Sequence, residues 1–163
     1  ALRATWGEQK TREWLLAIMA NDPGAYPKNT PIVAAVGSGE IDAGFVNHYY
    51  LHRFITAEGE TFSARNFFLP GGGPGSLVMA AGVGQLRSAQ NVENALKFIE
   101  FLLSPVAQQY FAGQTYEYPL VEGVKIHREL MPLVELNAAE TDLSNLSDLQ
   151  GTVDLLTEIG ALE

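Results

Sequence analysis

The sequence predicts an α/β fold, because segments with helical periodicity alternate with short apolar runs that are typical of buried strands. The chain has 163 residues, of which 47% are hydrophobic and 18% are charged, the balance of an ordinary globular domain with its own core. Clusters of glycine, proline and asparagine separate the segments and predict tight turns between them.

The first third of the chain predicts helices around one strand. Thr5 and Glu8 have the spacing of a capping box at the start of the first helix. Gly37-Ser38-Gly39 ends the second helix, and an apolar run that is typical of a strand follows. The predicted elements are helices over 6–20 and 30–36, a strand over 41–46 and the start of a helix over 49–55.

The remaining chain predicts two further strands and three helices. The strands, 66–69 and 77–86, flank a turn from Pro70 to Gly75. The helices start at the caps Asn91, Ser104 and Ser147-Asp148 and cover about 91–103, 105–112 and 149–159. Residues 116–119 are predicted to be extended, because a residue that precedes proline avoids the α region. The aromatic residues predicted in the core are Phe98, Phe101, Tyr110 and Phe111.

Composition and charge exclude several classes of function. The net charge of −9 repels phosphate backbones and anionic headgroups, so nucleic acid is not an expected partner. No apolar run reaches 18 residues and no signal-peptide pattern is present, so membrane insertion is not expected either. The chain has no cysteine, which excludes disulfides, thiolate catalysis and cysteine-bound metal. Gly82-Val83-Gly84 lacks the third glycine of a dinucleotide fingerprint.

Two adjacent tyrosines, Tyr49 and Tyr50, follow the predicted strand over 41–46. In open α/β sheets ligands bind beyond the carboxyl ends of strands, and phenolates are hard oxygen donors that ferric iron favours. Packing in a core is the commoner use of paired tyrosines, so that alternative stays open. His48 and His52 are an i, i+4 pair able to bind a divalent metal, but without a third ligand such pairs are more often a coincidence of the surface.

Short motifs in a consistent order resemble those of the periplasmic ferric-ion-binding proteins, the substrate-binding components of iron ABC transporters. The resemblance runs from about Thr5 to Leu162 and covers only the C-terminal half of the family's length. The tyrosine pair follows Gly39-Glu40-Ile41-Asp42 at the family's spacing. The motifs are Trp6-Gly7-Glu8, Thr11-Arg12-Glu13-Trp14, Tyr26-Pro27-Lys28-Asn29, Val36 to Asp42, Asn47-His48-Tyr49-Tyr50 and Thr115 to Leu120.

The resemblance implies a site and a fold. Tyr49 and Tyr50 match the two phenolate ligands of Fe³⁺, and Asn29 and Asn47 match side chains that hold a synergistic anion, phosphate or carbonate. The implied fold is a class II periplasmic-binding-protein-like lobe, a mixed sheet flanked by helices, incomplete relative to the two-lobe family fold. Residues 1–79 and 131–163 match the tyrosine-bearing lobe, and residues 80–130 match the opposite lobe without its first half.

The resemblance also implies a transport role. The expected partners are ferric iron and an ABC transporter membrane permease, and the expected location is periplasmic or extracytoplasmic, with a lipid anchor as an option in the full-length form. The sequence predicts a fragment, or a chain that completes its sheets by self-association or swapping with another copy. Because it supplies part of the coordination shell, the chain alone is expected to bind iron weakly.

Two other functions compete with iron transport. The same fold hosts many ligands, so a solute-binding protein for an anion, a polyamine or a phosphonate is the alternative. An enzyme that uses Tyr49 or Glu40 in acid–base chemistry, or His48 with a nearby serine, is the less favoured one. The sequence contains no nucleophile elbow, no H-E-x-x-H and no carboxylate pair placed for hydrolysis, so the prediction is a protein that is not an enzyme.

Overall fold

The computed structural model describes residues 1–69, 71–139 and 142–162. Seven α-helices lie within these ranges, joined by short 3₁₀ turns and by one π-helical turn, Phe111–Thr115. In the part of the chain that is described, no helix has the length and apolar character needed to cross a membrane. The helices are α1 (Leu2–Trp6), α2 (Glu8–Met19), α3 (Asn29–Ser38), α4 (Tyr49–Glu58), α5 (Val92–Leu102), α6 (Pro105–Tyr110) and α7 (Leu149–Glu158).

The predicted mixed sheet is not formed, since none of the described residues belongs to a β-strand. The predictions of strands over 41–46, 66–69 and 77–86 are therefore wrong. A strand exists only where its backbone hydrogen-bonds to a neighbouring strand, and an apolar run by itself cannot supply that neighbour. Phe45, Phe67 and Leu86 are each more than 65% exposed, so none of the three runs is buried along its whole length. Pro70, the first residue of the turn predicted between two of them, lies outside the described residues.

The first predicted helix is divided at Gly7. This glycine has φ 81°, a left-handed value that ends α1 and precedes α2. Thr5 lies inside α1, so its predicted role as an N-cap is wrong. The carboxylate of Glu8, predicted to complete the capping box, instead accepts a hydrogen bond of 2.6 Å from Nε of Arg3.

Most other helix boundaries agree with the predictions to within a few residues. Gly39 ends α3 in the left-handed conformation, with φ 77°. The caps predicted at Ser104 and Asp148 are confirmed: their side chains accept backbone N–H bonds at 3.3 Å and 3.0 Å respectively. Asn91 lies at the N-cap position of α5, but its side chain makes no capping hydrogen bond.

The chain forms two compact units. The first contains Ala1–Pro27, Phe68–Met79 and Leu136–Glu163, and the second contains Lys28–Phe67 and Ala80–Glu135. The lobes predicted from the resemblance, 1–79 with 131–163 and 80–130, group the residues differently and stay a prediction.

In the first unit, Arg3 links α1 to the start of α7. Its Nη2 donates to the Asp148 carboxylate at 2.9 Å and its Nη1 donates to the Thr152 hydroxyl at 3.0 Å. Hydrogen bonds from the Gly151 N–H and from Arg3 hold the pKa of Asp148 below its usual range. Leu155 of α7 is the largest fully buried side chain, at 2% exposure.

The second unit has its core between α3 and α4. The fully buried members are Val33, Leu51 and Ala64. Partly buried side chains pack against them, and these are Val36, Val46, Tyr50, Phe54, Ile55 and Phe62. One residue of the tyrosine pair is therefore packed against this core.

Three of the four aromatic residues predicted in the core are exposed. Phe98 and Phe101 of α5 and Tyr110 of α6 are each more than half exposed, and Phe111 is partly buried. The prediction was wrong for the first three because helical periodicity shows that a stripe is apolar but cannot show what packs against it.

Candidate functional site

The candidate site lies in the second unit, where the starts of α3 and α4 meet. Asn29 is the first residue of α3, Asn47 precedes α4, and Tyr49 and Tyr50 form its first turn. The backbone N–H of Asn47 donates to Oδ1 of Asn29 at 2.9 Å, across 18 residues of sequence. This bond joins two of the four predicted site residues.

The two asparagines present amide donors at the site. Because Oδ1 of Asn29 accepts a backbone N–H, its orientation is fixed and its NH₂ group remains as a donor. Nδ2 of Asn47 lies 3.2 Å from the hydroxyl oxygen of Tyr49. A donor in that position stabilises a phenolate more than a phenol, so it favours loss of the proton.

The tyrosine rings stack on each other, with centroids 4.7 Å apart and planes 30° from parallel. The guanidinium carbon of Arg53 lies 4.9 Å from the Tyr50 ring centroid, the geometry of a cation–π contact. Tyr50 is thus held on one side by the core and contacted by a cation, while its neighbour Tyr49 is partly buried.

The ionisation of Tyr49 is set by opposing effects. Burial raises the pKa of Tyr49 above its ordinary value, and the hydrogen bond from Asn47 acts in the opposite direction. The nearby Tyr50 and the charge of Glu117 raise this pKa further. Tyr49 is therefore a neutral phenol at neutral pH, and a metal ion that binds its oxygen has to displace a proton.

A second group of side chains surrounds Tyr116 beside the pair. Nε2 of His48 lies 2.7 Å from the Tyr116 carbonyl oxygen, and the ring of His48 meets the Tyr49 ring edge-on at 5.6 Å. The ring of His52 stacks on that of Tyr116 at 4.1 Å, and His127 contacts the same ring at 4.3 Å. All three histidines of the chain therefore contact Tyr116.

His52 is the most deeply buried member of this group, at 6% exposure. Its Nδ1 makes no hydrogen bond and lies 3.5 Å from the carboxylate of Glu129. Burial lowers the pKa of His52, and Glu129 acts in the opposite direction. Among the described residues, no group of three or more histidine, aspartate, glutamate or cysteine side chains could hold a metal ion. The i, i+4 histidine pair thus gains no third ligand of these types.

The structure differs from the sequence prediction at Tyr116, which was expected in an extended segment. Tyr116 has φ 59° and ψ 32°, the left-handed conformation, and ends the π-helical turn. The proline rule restricts only the residue directly before proline, here Tyr118, and says nothing about Tyr116. Sequence reasoning also missed Asn66, whose Nδ2 donates to the His48 carbonyl at 2.9 Å, and no local sequence signal marks that contact.

The arrangement brings together donor groups of the kind that a hard cation and an oxyanion can bind. Two neighbouring phenols supply up to two negative charges, and two amides supply neutral donors suited to an oxyanion. A small trivalent ion prefers oxygen donors of this kind to imidazole.

Comparison with known proteins finds relatives in several bacteria, although no family model matches the chain. The major ferric iron-binding protein of Neisseria meningitidis serogroup B is 33% identical over 155 residues, covering 94% of this chain and 46% of that protein. Iron uptake protein A1 of Synechocystis is 34% identical over 161 residues, covering 94% and 45%. The Fe(3+)-binding periplasmic protein of Serratia marcescens is 30% identical over 164 residues, covering 99% and 48%. The chain therefore spans about half the length of these relatives.

A solved structure has a closely similar fold. The crystal structure of iron-bound HitA from Pseudomonas aeruginosa superposes with a TM-score of 0.88 at 27% sequence identity. The match covers 98% of this chain and 51% of that chain. The fold of this chain is therefore similar to that of about half of a solved protein.

Proposed function

Since the chain is related over nearly its whole length to proteins named for binding ferric iron, we propose that it binds Fe³⁺ through Tyr49 and Tyr50. The observation that carries the proposal is the contact between Nδ2 of Asn47 and the Tyr49 oxygen at 3.2 Å, in a pair whose rings stack. A donor aimed at a phenol oxygen stabilises the charged form that a ferric ion needs. Packing alone requires no such donor.

In this proposal, Asn29 and Asn47 bind the synergistic anion, phosphate or carbonate. Asn29 keeps its NH₂ group for the anion because its Oδ1 is occupied by the Asn47 N–H. The anion then completes part of the coordination shell that two tyrosines leave open. Because the chain contributes two protein ligands in this scheme, it binds iron more weakly than a protein that supplies a full shell.

The role that follows is capture of ferric iron outside the cytoplasm for an ABC transporter permease. The relative from Serratia marcescens is named as a periplasmic protein, and the Synechocystis relative is named for iron uptake. In this role the chain corresponds to the C-terminal half of a binding protein, and its function is binding rather than catalysis.

Titration with ferric citrate in phosphate buffer tests the proposal and its pH dependence. We expect a visible phenolate-to-iron charge-transfer band at pH 7.5 that weakens on acidification. Each phenol that binds the metal releases a proton, so the apparent affinity is expected to fall by up to about 100-fold for each pH unit when both phenols ionise. A folded protein that develops no band would contradict the proposal. Phosphate binding in the absence of metal, measured by calorimetry, would instead favour a binding protein for an anionic solute.

Replacing Asn29 with aspartate is expected to prevent the anion from binding and so to remove its contribution to the affinity for ferric iron. The Asn29→Asp side chain still accepts the Asn47 N–H, but a carboxylate replaces the NH₂ donor and repels an oxyanion. A hydrogen bond to a charged group contributes about 1.5–3 kcal/mol, so we expect ferric binding in phosphate to weaken by about 10- to 100-fold. Titrations with and without phosphate measure this effect. An equal loss under both conditions would show that Asn29 does not contact the anion.

A further inference from the structure

His48 is joined to a distant part of the chain by a bond whose direction can be assigned. Its Nε2 lies 2.7 Å from the carbonyl oxygen of Tyr116, which is 68 residues further along the sequence. A carbonyl oxygen only accepts hydrogen bonds, so Nε2 of His48 carries the hydrogen and donates it. The bond therefore connects the residue just before α4 to the end of the π-helical turn.

The acceptor of this bond is held rigidly. Tyr116 has the left-handed backbone conformation, which a tyrosine keeps only where its surroundings over-determine it. The N–H groups of Tyr116 and Glu117 both donate to the Phe111 carbonyl, the second at 3.3 Å. The ring of Tyr116 is fixed as well, because it lies against His52 and His127. The Tyr116 carbonyl is thus a fixed point to which His48 is attached.

His48 is also fixed on its main chain and on its ring faces. Its carbonyl accepts a hydrogen bond of 2.9 Å from Nδ2 of Asn66. Its ring lies 5.6 Å from the Tyr49 ring, edge-on, and 5.4 Å from the Tyr118 ring. Tyr118 is itself anchored, since its hydroxyl donates to the Met131 carbonyl at 2.6 Å. Because His48 is held by these groups and lies against Tyr49, it restricts the orientations that the Tyr49 ring can adopt.

We propose that His48 is a positioning residue for Tyr49, which it holds in the orientation for metal binding through its hydrogen bond to Tyr116. The proposal rests on the proposed function for the identity of the ligand, but the fixed orientation of Tyr49 is a property of the protein without metal. Asn47 contacts the oxygen end of Tyr49 and His48 contacts the ring, so the phenol is constrained at both places.

Two matched variants test this inference. His48→Phe keeps an aromatic edge against Tyr49 and removes the donor, while His48→Gln places an amide nitrogen near the position of Nε2. In metal-free protein labelled with 3-fluorotyrosine, we expect the ¹⁹F signal of Tyr49 to broaden in His48→Phe, where the phenol samples more than one orientation, and to keep its wild-type line width in His48→Gln. The line width is compared rather than the chemical shift, because His48→Gln also removes the ring beside Tyr49. The signals are assigned with Tyr49→Phe and Tyr50→Phe. The Tyr110 signal, assigned with Tyr110→Phe, serves as the internal reference, because Tyr110 is 61% exposed on α6 whereas Tyr50 stacks on Tyr49 and would respond to its movement.

The same variants are then titrated with ferric citrate. Loss of one neutral hydrogen bond corresponds to about 3- to 10-fold weaker binding in His48→Phe, and His48→Gln should restore binding to within about 2-fold of wild type. An unchanged Tyr49 signal in His48→Phe, or equal effects of both variants, would overturn the inference. If wild-type protein binds no iron, the proposed function fails while the ¹⁹F comparison still decides the role of His48. If His48→Phe does not fold, Asn66→Ala, which releases the His48 carbonyl, must broaden the Tyr49 signal instead.

Discussion

Replacing both tyrosines of the pair with phenylalanine is expected to abolish ferric binding and to leave the fold intact. Tyr49→Phe with Tyr50→Phe removes both phenol oxygens and keeps both rings, so the stacked pair and the packing of Tyr50 on the core are preserved. Amides alone are weak ligands for a trivalent ion. We expect complete loss of the charge-transfer band and at least about 100-fold weaker binding, since several kcal/mol of metal–oxygen interaction disappear.

The control for this experiment is a phenol elsewhere in the second unit. Tyr110 is 61% exposed on α6, and Tyr110→Phe should keep the band at full intensity. The two single variants separate the roles of the pair, because Asn47 supports only the Tyr49 oxygen among the hydrogen bonds described. A band that survives in the double variant would show that iron binds through other residues.

Truncating Leu51 is expected to cause the largest loss of stability in the second unit. Leu51 follows the tyrosine pair, is 4% exposed and lies in the core cluster with Val33 and Ala64. A buried leucine replaced with alanine costs about 2–5 kcal/mol of the free energy of unfolding, through lost burial and the cavity that remains. Urea denaturation followed by circular dichroism measures this loss.

A pair of control variants makes the result specific. Both tryptophans, Trp6 and Trp14, lie in the first unit, so tryptophan fluorescence reports on that unit directly. Leu155→Ala, at a position 2% exposed in the first unit, should shift the fluorescence transition. Leu149→Ala, at a position 71% exposed, should change the free energy of unfolding by no more than about 0.5 kcal/mol, whether it is measured by circular dichroism or by fluorescence. A loss in Leu51→Ala no larger than in Leu149→Ala would contradict the assignment of the core.

The sequence predicted the helices far better than the strands, for a physical reason. A helix closes its hydrogen bonds within one segment, so local signals such as the Ser104 cap and Gly39 are sufficient to locate it. A strand depends on a partner that can lie anywhere, and the apolar run over 41–46 has none in the described part of the chain. The exposed Phe98 and Phe101 illustrate the same limit for side-chain packing.

The sequence predicted those parts of the candidate site whose residues are close together along the chain, and it missed the contacts between distant residues. Tyr49 and Tyr50 are adjacent in the sequence, and the preference of ferric iron for phenolate oxygen is enough to identify them as candidate ligands. Asn29 lies 18 residues from Asn47, and only the resemblance to a known family linked it to the site. The bond from His48 to Tyr116 spans 68 residues and depends on an unusual backbone conformation, which no local pattern encodes.

The bond between Asn29 and Asn47 also bears on the order in which the site forms. The tyrosine pair, both asparagines and the buried cluster of Val33, Leu51 and Ala64 all lie between residues 29 and 64, so their contacts have short sequence separation. Contacts of this kind form quickly, and during synthesis they become available before later residues leave the ribosome. The site is therefore expected to assemble first, and Tyr116 attaches to it only after some 50 more residues have been made.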